Sequence, residues 1–522
     1  MSEQTYEIQE FREGLYKLFT KRSDSTMNLL DAISSYGHQC DSVVKLSLSP
    51  LFKRTYSSIT DVLSSGLPEV DWKSIQRLIY QYRNTDKANE PHRFIIDCTA
   101  NPRVYARTLE DRHMTHFPNP APGNKPICTG HQYSVLASLP NEELSKQKHW
   151  LLPLSAVRVK SSEKGNEIGM TQIIDTIQSL GLIDQLNISI GDSLYGTENC
   201  RSIASSQKNL IHIFRLNSKR NIFFPPTNES TNISIKSGRN KEFGTKMKLG
   251  EPNTHSPSDQ STTTDWVSNK GKKYKVNIQV WNNMLLRGSR KFRSSQHPLN
   301  VIRIEVFDEQ GETLYKRPLW LGVFGNRRNE MSLIDVYENY RARYNIEHLF
   351  RFSKGNLLID KHQTAKVYHE ELWWSLCLLA YTQLYLAKNI SSCLPSPWER
   401  YSPVYKNIEG QKDKVSTPSQ TQRGFYDILK ALGTPAQECA KRGKAKGRTT
   451  GEIQTKRSIH PVVFKEKKER KKPAKTILLG SGIIRLLSDP KRIDEMIKFL
   501  QTSLKDLDIR PSAFSNMLIN ST

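Results

Sequence analysis

The rhythm of apolar and polar positions changes several times along the 522 residues, and each change marks a different kind of element. Up to about residue 85, apolar residues recur at three- and four-residue intervals in "EFREGLYKLFTKRSDSTMNLLDAISSY", "SITDVLSSG" and "WKSIQRLIYQYRN", the period of amphipathic helices. From Arg93 short apolar runs bounded by turn residues take over: "RFIIDCT", "CTGHQYSVLASL", "WLLPLSAVRV", then a helical "GMTQIIDTIQSLG", then "NISIGDSLYG" and "LIHIFRLN". They predict three strands, a helix, a strand, a short helical piece and another strand, a mixed α/β arrangement. From about Ser218 to Gly325 the chain is strand-like, as in "KYKVNIQVWNNMLLR" and "NVIRIEVFDEQGETLYKRPLWLGVF", with a hairpin turn predicted at "DEQGE". Leu333 to Lys354 and Lys366 to Lys388 return to the helical period. Within the second, "LWWSLCLLAYTQLYLA" is interrupted by Ser, Thr and Gln and falls short of the ~20 residues a membrane span requires, so it reads as a buried core helix. Beyond Pro395 the periodicity fades until a last amphipathic helix predicted at about Ser488 to Leu507, and no repeat of fixed period is visible.

These changes divide the chain into an N-terminal helical segment (1–87), a first α/β part (88–217), a β-rich insertion (218–325), a second α/β part containing a helix of special interest (326–394), a basic low-complexity stretch (395–475) and a C-terminal helical extension (476–522). Charge sharpens the picture. The chain carries 77 Lys and Arg against 52 Asp and Glu, a net charge of +25, which favours a polyanionic partner: nucleic acid first, an anionic membrane surface second. Glu438 to Lys475 alone holds 14 basic residues and 4 glutamates, the composition of a disordered tail that binds DNA without sequence preference. Seven dispersed cysteines form no Cys-x-x-Cys pair, so reduced thiols are expected in place of a disulfide framework or a zinc site. No secretory signal opens the chain, and a cytoplasmic location is expected.

Candidate chemistry concentrates in "YRARYNIEHLFRFSK". At 100° per residue, Tyr340, Arg343, Glu347 and Lys354 fall at about 0°, −60°, −20° and −40°, a narrow stripe, while Ala342, Ile346, Leu349 and Phe352 face the other way. Gly355 would cap such a helix. A charged stripe of this kind is commonly just a solvated face with an i, i+4 ion pair. Two acids upstream change its weight: Asp97 ends the apolar run "FIID" before an Asn-Pro that should bend the chain away, and Asp192 ends "NISIGD" before the turn "SLYG". Each Asp alone is also a common turn initiator.

The spacing Tyr-x2-Arg-x3-Glu-x6-Lys, preceded by two strand-terminal aspartates, resembles bacterial insertion-sequence transposases of the DDE class. The resemblance runs from Met1 to about Lys475 and takes in the 155-residue step from Asp192 to Glu347, where that group carries a strand-rich insertion. It implies a ribonuclease-H-like α/β fold: a mixed sheet with helices, interrupted by a β-rich insertion, with an N-terminal helical domain and a basic C-terminal tail. It implies Asp97, Asp192 and Glu347 as catalytic, metal-holding carboxylates, and Tyr340, Arg343 and Lys354 as ligands of DNA phosphates. It implies two Mg²⁺ ions, with Mn²⁺ as a substitute, cleaving element ends and joining the 3′-hydroxyl to target DNA. Partners would be double-stranded DNA, both terminal inverted repeats and target, with a homodimer on two ends, no membrane, and association with the bacterial nucleoid. A nuclease without strand transfer, or a non-catalytic DNA-binding descendant, are the alternatives. Among weaker signals, Trp281, Trp320 and Tyr274 are core residues or base-stacking platforms, and Arg103, Arg107 and Arg112 are channel or ordinary surface charges. His131, His212 and His348 read as structural or solvated.

Overall fold

The computed structural model describes residues 3–83, 90–117, 125–141, 150–226, 242–268, 271–289, 291–392, 416–439, 449–453, 455–464, 476–479 and 482–485. Residues 1–464 form one compact unit and residues 465–522 another. In chain order the first unit contains α1 (Glu3–Leu18), α2 (Ser23–Tyr36), α3 (Ser57–Asp61), α4 (Trp72–Gln81), β1 (His92–Pro102), β2 (His113–His116), β3 (Ile127–Ser138), β4 (Leu152–Val159), α5 (Gly165–Ser179), β5 (Asn187–Gly191), α6 (Glu198–Ala204) and β6 (Leu210–Leu216). There follow β7 (Asn221–Phe223), β8 (Lys246–Lys248), β9 (Gln260–Val267), β10 (Lys273–Met284), β11 (Leu299–Phe307), β12 (Leu319–Phe324), α7 (Leu333–Ala342), α8 (Asn345–Asn356), α9 (Val367–Ser392) and α10 (Pro418–Leu432). In the second unit the described residues form an antiparallel hairpin, β13 (Thr476–Leu479) with β14 (Gly482–Arg485); the helix expected at Ser488 to Leu507 lies outside the described residues.

One ten-stranded sheet organises the first unit, in the order β2-β3-β1-β5-β6-β12-β11-β10-β9 with β4 on the same edge of β3 as β2. Strands β4-β3-β1 are antiparallel, and β5 and β6 run parallel to β1, the mixed arrangement of a ribonuclease-H-like α/β domain. Strand β1 is buried on both faces from Phe94 to Ile96, which is why its apolar residues run together and do not alternate. The β-rich stretch after Ser218 continues this sheet: β12 pairs antiparallel with β6, and β11, β10 and β9 follow in turn. The turn at "DEQGE" forms as expected, with Gly311 at φ 83 closing it.

Helix α9 is buried around nearly its whole circumference, so it acts as a central post. The N-terminal helices α1 and α2, and α10, pack on it. Apolar Ile8, Phe11 and Leu15 of α1 are fully buried within this helical cluster. There Arg12 forms a buried ion pair with Asp31 and also donates to Gln383 of α9. Helix α10 falls inside the 395–475 stretch where no regular element is expected, fixed by a capping box between Thr417 and Gln420. Part of the basic stretch is also pinned to the sheet: His460 and Val463 donate backbone bonds to Arg107 and Arg112, and Val463 bridges β2. Among the described residues no helix is long and apolar enough to cross a membrane.

Candidate active site

The site lies where the sheet's connectivity reverses, between β1 and its parallel neighbour β5. In open α/β sheets such points leave a crevice at the carboxyl ends of the strands. The last parallel pair is Ile95 with Ile190, and carrying the register two residues further brings Asp97 level with Asp192. Asp97 Oδ1 accepts from the Cys98 backbone, and Asp192 accepts from the Leu194 backbone, both at 2.8 Å. Asp192 therefore does initiate a turn, and it stands beside Asp97 as well.

Strand β1 does not end at Asp97. It stays paired with β3 as far as Pro102 and Gly130, so the expected bend at Asn101-Pro102 is absent. The proline is tolerated because β5 has already ended at Gly191, leaving one edge of β1 unpaired. Behind the two aspartates the buried Tyr195 ring fills the floor, and its hydroxyl contacts Cys98 Sγ at 3.6 Å. Gly169 and Gly191 leave it room: a Cβ on either would stand within 2.9 Å of ring atoms.

The third acid arrives from α8. The stretch from Leu333 to Lys354 is two helices, not one, with Arg343 and Tyr344 in the joint. Three-residue hydrogen bonds tighten it, from Arg343 to Tyr340, Ile346 to Arg343 and Glu347 to Tyr344. The stripe is therefore bent at Arg343. Its apolar side is as expected, with Ile346, Leu349 and Phe352 buried. Gly355 does not cap the helix, which continues through Asn356. Arg93 at the start of β1 donates to Asn339 at 2.9 Å, fixing α7 against the sheet.

At the bend, Arg343 donates from Nη1 to Asp97 Oδ2 at 3.1 Å and from Nη2 to Glu347 Oε1 at 3.2 Å. One guanidinium thus ties Asp97 to Glu347, with the Tyr340 ring centroid 5.9 Å from its carbon. Burial pushes the Asp97 carboxyl up to about 6; Arg343 opposes this, while the like charges of Asp192 and Glu347 add to it. Burial also raises the Tyr340 phenol. Lys354 lies one further step along β1, donating to Thr99 Oγ1 and the Ala100 carbonyl, both at 2.8 Å, and burial lowers its pKa. In this state its ammonium is a tether between α8 and β1.

The donor set is all carboxylate, the chemistry that holds hard divalent cations such as Mg²⁺. Among the described residues, no three such side chains converge as a ready cation cage. The donor chemistry fits; the present side-chain placement has Arg343 drawing on two of the three acids.

A buried network braces the site from beneath. Glu370 on α9 accepts from Arg103 Nε at 2.7 Å and the Tyr133 hydroxyl at 2.9 Å, and pairs with His131 at 2.7 Å. Arg103 also donates to the Asp360 carbonyl, joining the end of β1 to the turn after α8. Arg103 and Arg112 are thus buried structural residues; only Arg107 is exposed. His131 and His212 are buried, and His348 lies against Tyr344. Trp281 and Trp320 belong to the core, whereas Tyr274 is half-buried and stacks on Trp266 at 4.8 Å. Arg215, absent from the motif, is an exposed cation on β6 whose charge reaches Tyr340. A single arginine inside the apolar run "LIHIFRLN" is the signal that marks it.

Asp97 within β1 and Asp192 directly after β5 thus stand level with each other on a ribonuclease-H-like mixed sheet. Residues 14–280 match the family described as DDE superfamily endonuclease, and the chain belongs to that family. The match includes Asp97 and Asp192 and stops before Glu347. No curated protein matches the chain.

Proposed function

We propose that this protein is a DNA transposase that cleaves the ends of its element and joins the freed 3′-hydroxyl to target DNA. The observation that carries the reading is that Asp97 on β1 and Glu347 on α8 share the guanidinium of Arg343, while the β1–β5 register brings Asp192 level with Asp97. Two Mg²⁺ ions held by these carboxylates would activate the attacking oxygen and neutralise charge on the leaving oxygen. The chain's own residues do the rest. Arg343 has the planar fork that grips a phosphate, the Tyr340 hydroxyl can donate to a phosphate oxygen, and exposed Arg215 adds positive charge beside them. Lys354 holds β1 to α8 and keeps Asp97 and Glu347 in register. The net charge of +25 supports a DNA partner, with terminal inverted repeats and target both bound, two subunits on two ends, and the N-terminal helices contributing to the grip on DNA.

Duplexes carrying the sequences that flank the coding region test this. Incubated with the full chain and Mg²⁺ or Mn²⁺, they should yield nicked ends with 3′-hydroxyls and then joint molecules with a second DNA. Cleavage without joint molecules would support instead the ribonuclease-H-like nuclease.

A further inference from the structure

Two of the carboxylates that would hold a divalent cation already share a guanidinium. Arg343 uses Asp97 Oδ2 and Glu347 Oε1, so of the three acids only Asp192 has no bond to it. Three carboxylates and one arginine leave a net charge of −2, and withdrawing the arginine leaves −3, a stronger site for divalent cations. The Arg343 side chain is itself 15% exposed, so an incoming anion can reach it. It lies in the two-residue joint between α7 and α8, outside either helix, and faces Glu347, whose side chain is 40% exposed. An arriving phosphate offers the guanidinium an anion of matching geometry.

We propose that Arg343 is the resident counter-cation of the carboxylate site, and that a DNA phosphate must draw it away before Asp97 and Glu347 can hold a divalent cation. The inference rests on the reading of Asp97, Asp192 and Glu347 as the metal site. DNA binding and metal binding are then coupled through one side chain, and by linkage each strengthens the other by the same factor. The protein free of DNA has little affinity for the ion, which keeps the cleaving centre unassembled until a phosphodiester is in place.

The test uses the full chain and Mn²⁺, titrated by calorimetry or by electron paramagnetic resonance, with and without a DNA duplex of the flanking sequence. Without DNA, Arg343→Gln should bind Mn²⁺ on the order of tenfold more tightly than the unaltered chain, within the usual range of coupling between two ligands. DNA should tighten Mn²⁺ binding to the unaltered chain by a similar factor and leave Arg343→Gln unchanged. Arg343→Lys, which keeps the charge and loses the fork, should lie between and guards against misfolding of the glutamine variant. Equal or weaker Mn²⁺ binding by both variants overturns the proposal. If Asp97→Asn in the Arg343→Gln background leaves Mn²⁺ binding intact, the ion sits elsewhere, and the metal reading of the site falls together with it.

Discussion

Lys354 donates to Thr99 Oγ1 at 2.8 Å, across 255 residues of sequence, and its second bond goes to the neighbouring Ala100 carbonyl. Those two bonds hold α8 against β1 just beyond Asp97. Lys354→Ala should therefore destabilise the unit by ~1–3 kcal/mol, the cost of leaving part-buried polar groups unmet. Denaturant unfolding measures this directly. A residue that served only to hold DNA would leave the unfolding midpoint of the free protein unchanged.

Glu370 is fully buried and holds three partners from β3 and the end of β1. Glu370→Gln strands the Arg103 charge in the interior and should cost ~3–5 kcal/mol. Burial pushes the Glu370 carboxyl up, but the His131 bond and the Arg103 charge overcome it and hold it at about 2, below the ordinary 4.5. A carboxylate lowered on folding adds stability above its unfolded value and loses it as pH falls through the folded one. The stability gap between the unaltered chain and Glu370→Gln should stay flat above about pH 5 and shrink between 4.5 and 2. Equilibrium unfolding across that range reads it.

Arg201 on α6 is 1% exposed, and its Nε and Nη1 have no hydrogen-bond partner among the described residues. Its guanidinium rests over the Phe292 ring at 5.4 Å, and burial lowers its pKa to about 10. A buried cation with two unmet donors is a liability, so Arg201→Met, of similar length and apolar, should stabilise the unit by ~1–3 kcal/mol. A rise in melting temperature would bear this out; a fall would mean that Arg201 supports the fold through its charge.

The positions of Asp97 and Asp192 relative to β1 and β5 are legible in the sequence for a physical reason. Asp97 follows the apolar run Phe94–Ile96, and Asp192 follows the short, fully buried strand β5, so each acid stands out against the buried strand before it. The bend at Arg343-Tyr344 is not legible, because the stripe fits an unbroken helix equally well and only packing of α7 and α8 on different parts of the sheet breaks it. Nor is the Arg343 contact with Asp97, made across 246 residues. Strand β9, "QSTTTDWV", escapes the pattern because an edge strand with exposed alternate positions needs few apolar residues. The capping signal of α10, Thr417 with Gln420, is present in the text but hidden within a polar stretch.

The central claim is that Asp97, Asp192 and Glu347 act as one set on a DNA phosphodiester. The most direct measurement is divalent-metal-dependent cleavage of the flanking-sequence duplex by the full chain and by Asp97→Ala, Asp192→Ala and Glu347→Ala, with folding of each verified by its unfolding midpoint. Each substitution should lower the cleavage rate by roughly a thousandfold or more, since residues acting as a unit fail together. Cleavage at an undiminished rate by any one of the three would contradict the account.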